Sequence, residues 1–193
     1  MVEMMVAMAI LMIAVAALLG AHIMGLKQNQ LIESKAGASD SSRRAVSKLP
    51  ADIRTAKMWF IGNMSGTNFT AISSGRQQDT ALALCETTNG SQFIYYYFDL
   101  SDTNNSNGKL LSTTSTNWNP VILASNLINT LYFLAEDYNG VVQTNNWTSK
   151  SYKNVIHTTL QFRQFQYPTT TVGSNCLYDF YQLDFKATPH LPE

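Results

Sequence analysis

Residues 1–26 read MVEMMVAMAILMIAVAALLGAHIMGL. Glu3 is the one formally charged side chain in this run, and His22 is the only other ionisable one. As a helix, the uncharged stretch from Met4 to Leu26 covers about 34 Å, enough to cross a bilayer core. Apolar residues occupy every side of that helix rather than one stripe, so it must be buried all round, in lipid or in protein. A carboxylate at the head of such a segment is costly unless it is paired or protonated. The reading of the chain therefore turns on the purpose of Glu3.

The 193 residues leave room for one medium domain beside this appendage. Thirteen basic and thirteen acidic residues give net charge zero, so no basic surplus draws the chain to nucleic acid. Charged residues are only 13% of the chain, about half the usual share, while Asn, Ser and Thr are abundant. Such a polar, weakly charged surface suits an extracellular or envelope protein better than a cytosolic enzyme. Cys85 and Cys176 are the two cysteines. An even pair in an exported domain reads as one disulfide. It would close a loop of roughly 90 residues, worth about 4 to 5 kcal/mol in the chain-entropy model. Two separate buried thiols are the alternative.

Three readings compete for the first segment. A cleavable secretory signal has a basic start, a shorter apolar core and a small-residue cleavage site; here Glu3 stands at the start and Lys27 follows the run. A plain single-span anchor leaves Glu3 without a purpose, because acidic residues contribute little to topology. A helix that passes from the membrane into a bundle of protein helices gives Glu3 a positive partner on another chain.

The stretch VEMMVAMAILMIAVAALLG resembles the N-terminal helix of type IV pilins and type II secretion pseudopilins, in which a single glutamate heads a long apolar helix. The resemblance runs from Val2 to about Gly25 and places Glu3 on the family's glutamate. It departs at Met1, where the family has Leu, and the leader and methylated Phe that precede this point in the family fall outside it. It implies that Glu3 pairs with the N-terminal amine of a neighbouring subunit. It also implies that the partners are further copies of the chain, the inner membrane before assembly, a prepilin peptidase and the pilus assembly machinery. The filament would be extracellular or periplasmic. Gly20 and Gly25 each cost roughly 1 kcal/mol in a helix interior; the resemblance implies that the helix loosens near Ala16–Gly25.

From Lys27 the chain becomes amphipathic. Ala45, Leu49, Ile53, Ala56 and Phe60 recur every three or four residues as one helix face, with Asp52 and Arg54 off it. A helix to residue 57 would be about 85 Å long. Pro50 lacks a backbone donor, so the helix is expected to bend or restart there. Arg43 and Arg44 read as solvated surface.

After Phe60 the period becomes strand-like. NFTAIS, TALALCE, QFIYYYFDLS, KLLSTTS, VVQTNNWT, VIHTTLQFRQF and LYDFYQLDFKA are rich in β-branched and aromatic residues. Asn89-Gly90, Asn107-Gly108 and Asn139-Gly140 mark turns. PVILASNLINTLYFLAEDYNG and SYKNVIHTTLQF resemble strand segments in heads of the PilW-like and GspJ-like type, which implies a larger pseudopilin or minor-pilin head. The expected organisation is α+β: residues 1–26 as transmembrane or filament-core helix, 27–60 as the half packed on the head, and 61–193 as a mostly antiparallel β head.

Motifs for chemistry are sparse. His22, His157 and His190 show no metal-ligand spacing, and neither cysteine has a Cys-x-x-Cys partner. No nucleophile elbow or phosphate-binding glycine loop occurs. No cofactor is expected, and the chain does not read as an enzyme. Asp102, Asn104 and Ser106 alternate like the first ligands of a Ca²⁺ loop, but Gly108 falls one place late and no Glu closes the loop; a hairpin turn is the favoured reading. Asn63, Asn68, Asn89, Asn104 and Asn146 head Asn-x-Ser/Thr triplets and read as polar loops. Phe93–Phe98, FIYYYF, reads as a buried strand rather than a stacking platform for bases. The expected function is a structural filament subunit. Alternatives are a minor tip or priming pilin, or a single-span surface binding protein.

Overall fold

The computed structural model describes residues 2–87, 89–99, 108–129, 133–144, 154–165 and 178–190. The chain divides into two compact units, Met1–Gly37 with Gln164–Asp179 and Ala38–Arg163 with Phe180–Glu193. Among the described residues one helix, α1 (Val2–Thr55), precedes ten strands. They are β1 (Met58–Ser65), β2 (Asn68–Ala71), β3 (Gln78–Asp79), β4 (Ala81–Cys85), β5 (Phe93–Asp99), β6 (Gly108–Thr114), β7 (Val121–Leu127), β8 (Phe133–Glu136), β9 (Val155–Phe165) and β10 (Tyr178–Ala187). They form a single sheet in the order β2-β1-β4-β5-β6-β7-β9-β8-β3, with β10 also paired to β9. The β3 and β8 end comes back to β1, so the sheet curls. The chain is thus α+β, with a long N-terminal helix and a C-terminal antiparallel curled sheet.

The stripe Ala45, Leu49, Ile53 and Ala56 is fully buried in the head core. It shares that core with Trp59 and Ile61 of β1, Leu82 and Leu84 of β4, Tyr96 of β5 and Leu110 of β6. The small side chains of Ala45 and Ala56 let the helix backbone lie close to the sheet. Pro50 does not restart the helix, which stays helical on both sides of it. Leu49 and Ile53 flank Pro50 in sequence and are both buried in the core, which holds the helix despite the missing donor.

The helix ends at Thr55, earlier than the stripe through Phe60 suggests. The Thr55 hydroxyl and the Ala56 amide both donate to the Asp52 carbonyl, at 3.1 Å each. One residue later the Lys57 amide donates to the Cys85 carbonyl (2.8 Å), which hands the backbone to the sheet. Phe60 therefore lies in β1, a strand that the helical pattern concealed. Residues 38–55 belong to the same compact unit as most of the sheet.

β4 is buried at all five positions. Leu82 and Leu84 face the helix side. By strand alternation Ala81, Ala83 and Cys85 face the other way, beneath aromatic side chains from neighbouring strands. Phe60 of β1 lies 6.0 Å from Phe93 of β5, ring to ring, and Phe69 of β2 lies 5.5 Å from Tyr95. These rings meet across the small β4 residues. Gly62 sits between Ala71 of β2 and Ala81 of β4.

Of the expected strands, VVQTNNWT is not one in its described part: residues 141–144 contribute only a bridge from Val142 to Glu136. Asp137 accounts for this, since its carboxylate accepts from the Asn139 and Val141 amides, both at 2.8 Å, and pins a tight turn. Gly140 supplies that turn's left-handed φ of 82°.

Candidate functional site

The first unit presents the surface that demands a covering. Every residue from Val2 to Leu26 is exposed, including Met4, Met5, Ile10, Leu11, Met12, Ile13, Leu18 and Leu19. The helix forms because Ala, Leu and Met favour it and no Pro occurs before residue 50. By length and composition Val2–Glu33 is long and apolar enough to cross a membrane. An apolar surface of this extent marks a contact with lipid or protein.

Glu3 lies in the first turn of α1, where the positive end of the helix dipole favours an acid. Gly20 and Gly25 both lie inside the unbroken helix, and a Cβ built on either meets nothing within 4 Å. Nothing among the described residues requires glycine at these positions, and no loosening is seen there. His22 is exposed on the same segment.

No protein-family profile, curated protein or solved structure matches the chain. Its function has to be argued from its own residues.

Two polar networks in the head were not legible as motifs. In the first, the fully buried Tyr96 donates its hydroxyl to the Asp52 carboxylate of α1. Burial, and then that hydrogen bond, push the Tyr96 phenol far above its ordinary range. Ser112 of β6 is the register partner of Tyr96 and accepts from the Lys48 ammonium at 3.3 Å. Asp52, set aside as off the apolar stripe, thus ties the helix to the middle of the sheet.

The second network crosses β8, β9 and β10. His157 Nδ1 lies 2.8 Å from Glu136 Oε1, and Nε2 lies 3.5 Å from Asp184 Oδ1. Lys186 Nζ donates to Glu136 Oε2 at 2.7 Å, and the Thr159 hydroxyl donates to Asp184 at 2.6 Å. Gln182 also donates to Asp184 and accepts from Gln161 at 2.9 Å. Both imidazole nitrogens face carboxylates, so the arrangement fastens strands and leaves no ring nitrogen open for a ligand or substrate. Its sequence signal is the period-two polar alternation His157-Thr159-Gln161 and Gln182-Asp184-Lys186, which lines up only once β9 and β10 pair.

Burial raises the Glu136 carboxyl, but hydrogen bonds and charge from Lys186 and His157 outweigh it and bring the group below its ordinary value. Asp184 is also lowered, first by the Thr159 hydrogen bond and then by Gln182. A lowered folded-state pKa contributes stability above the unfolded value, and that stability disappears as pH falls through the folded value. Acid unfolding below about pH 4.5, the ordinary Glu value, is expected to weaken this side of the sheet. In Glu136→Gln the loss of stability between pH 5 and pH 3 should be shallower than in the parent, measured by urea unfolding across pH; equal slopes would remove Glu136 from the account.

The remaining predicted residues are scattered. Among the described residues Cys85 is a free, buried cysteine, its Sγ 3.1 Å from the Thr87 carbonyl oxygen. Cys176, the other half of the expected disulfide, lies outside the described residues. So do Asp102, Asn104 and Ser106 of the Ca²⁺ candidate, and Asn104 and Asn146 of the triplets. Asn63, Asn68 and Asn89 are exposed. Arg43 and Arg44 are exposed, and Arg44 pairs with Asp40 at 2.7 Å one turn earlier. His190 is exposed. Among the described residues no three His, Cys, Asp or Glu side chains group to hold a metal.

Proposed function

We propose that this chain is a structural subunit of a type IV pilin-like or pseudopilin-like filament, anchored in a membrane through α1 before it polymerises. The observation that carries the reading is the wholly exposed apolar helix of residues 2–26 with one carboxylate at its head. Lipid and a bundle of sister helices are both apolar, so the segment passes between them without a large hydrophobic penalty. Glu3 then sets the axial register. A carboxylate stranded in apolar surroundings costs several kcal/mol, and a neighbour's N-terminal amine at the right height relieves that cost. The pair selects one packing among many similar ones rather than adding much net stability. The amphipathic part of α1 supports this division of labour, because its stripe is already buried by the head and leaves the oily part for assembly. Gly20 and Gly25 fit the same picture as close-contact or loosening points in the assembled state.

Glu3→Ala should cut filament yield at least tenfold in electron micrographs while the far-ultraviolet circular dichroism of the head is unchanged. Filaments in parental amounts would refute the assignment of Glu3. Isolated particles from the parent chain, under all assembly conditions, would instead favour a single-span surface protein.

A further inference from the structure

A second surface, in the head, has the chemistry of a binding site. Strand alternation places Phe93, Tyr95 and Tyr97 of β5 on the sheet face opposite the core helix. All three are half-buried. Trp118, on the loop between β6 and β7, stacks on Tyr97 with ring centroids 6.1 Å apart and planes 22° apart. It lies 6.4 Å from Tyr95, which itself stacks against Phe93 at 6.1 Å. Trp118 remains 37% exposed.

This indole sits on a braced loop. The Asn117 carbonyl accepts from the hydroxyls of Thr113 (3.4 Å) and Thr114 (3.2 Å), and the Asn117 amide donates back to Thr114 Oγ1. The Asn119 amide donates to the same carbonyl at 2.8 Å. The ring is therefore held in place before any ligand arrives, which lowers the ordering cost of binding.

Charge and polarity decide the class of ligand. Among the described residues, the charge nearest the rings is Asp99, two residues beyond Tyr97 on the same face of β5 and acting on its phenol. At the nearest end of the strands Asp99 and Lys109 are register partners, one acid opposite one base. Among the described residues here the one base is matched by an acid, which suits a phosphate backbone or an acidic glycan poorly. The polar groups here are the phenol hydroxyls of Tyr95 and Tyr97 and, on the Trp118 loop, the exposed side chains of Asn117 and Asn119. Aromatic planes with neutral donors and acceptors at their edges match a ligand with an apolar face and a polar rim. Pyranose rings of uncharged sugars have that form, with C–H groups on one face and hydroxyls around the edge.

We infer that the Tyr95–Tyr97–Trp118 face binds neutral oligosaccharide, one sugar ring stacking on Trp118 and its hydroxyls meeting the Tyr and Asn groups beside it. This holds whether or not the chain polymerises.

The test uses the full chain in lauryldimethylamine oxide micelles, which carry no sugar headgroup, titrated calorimetrically with cellohexaose and with chitohexaose. Saturation-transfer NMR reports which sugar protons touch aromatic rings. At least one of the two should bind, with transfer concentrated on ring C–H protons. Trp118→Ala should weaken binding roughly tenfold or more, in line with the loss of one stacked ring, while Trp118→Phe should retain most of it. Trp118 lies on a loop outside the core cluster, so both variants should stay folded, and their unfolding midpoints separate lost binding from lost folding. The inference is overturned if neither sugar binds, or if Trp118→Ala binds as well as the parent. It is also overturned if an oligothymidylate binds as tightly as the sugar, or if Trp118→Ala alters self-association while leaving sugar binding intact.

Discussion

Trp59→Ala is expected to destabilise the head by about 3–5 kcal/mol. Trp59 is completely buried and is the largest fully buried side chain among the described residues, in one cluster with Leu49, Ile53, Leu84 and Tyr96. It lies four residues beyond the end of α1, so its packing also fixes how the chain turns from helix into sheet. Truncation leaves a cavity lined by both elements, which cannot collapse without moving one of them. A domain of this size has about 5–15 kcal/mol of total stability, so the variant should lose roughly a fifth or more of it. Among the described residues the indole Nε1 has no hydrogen-bond partner. Trp59→Phe therefore forfeits volume but no hydrogen bond, and should cost less than half as much. Urea unfolding followed by circular dichroism gives both values; equal losses for Ala and Phe would show that the indole's size is not what matters.

Gly62→Ala is the second large effect, and it acts through backbone rather than core. A Cβ at position 62 would stand 2.0 Å from the Thr70 carbonyl oxygen and 2.9 Å from the Ala71 Cα. Neither is the tip of a flexible side chain, so one strand must shift. Overpacking of this kind typically costs about 1–3 kcal/mol. β2 pairs with β1 alone in the sheet order and is the strand that will yield. Amide hydrogen exchange should show protection lost at residues 68–71 of β2, while β4, on the other side of β1, keeps its protection. Unchanged exchange at β2 would contradict the close approach.

These two residues show what could and could not be read beforehand. The apolar run to Leu26 and the stripe Ala45, Leu49, Ile53 and Ala56 are local periodic signals, and the structure has a helix through both, with the stripe buried. The strand runs around Ala81–Cys85, Phe93–Asp99, Val155–Phe165 and Tyr178–Ala187 were visible for the same reason. β1 was hidden because Phe60 happens to continue the helical spacing. Whether the helix goes on is decided by the Lys57 amide finding the Cys85 carbonyl, a partner far along the chain. β3, with two residues, is too short to carry a pattern. The networks at Asp52 and Tyr96, and at Glu136, His157 and Asp184, depend on strand register, which no window along the sequence contains. His157 looked isolated because its partners are 21 and 27 positions away. The aromatic face was half legible: Phe93–Phe98 was recognisable as a strand, yet only the sheet reveals that alternate rings turn outward to meet Trp118. Glu3 is the opposite case. Its position was plain in the sequence, whereas its proposed partner belongs to another copy.

The central claim is that sister helices cover the oily part of α1. A photo-crosslinking amino acid in place of Met12, which is exposed in the middle of that segment, tests it most directly. Irradiation of assembled material should give a ladder of covalently joined copies, and irradiation of membranes before assembly should give lipid adducts. Lipid adducts alone, under every condition, would contradict the claim.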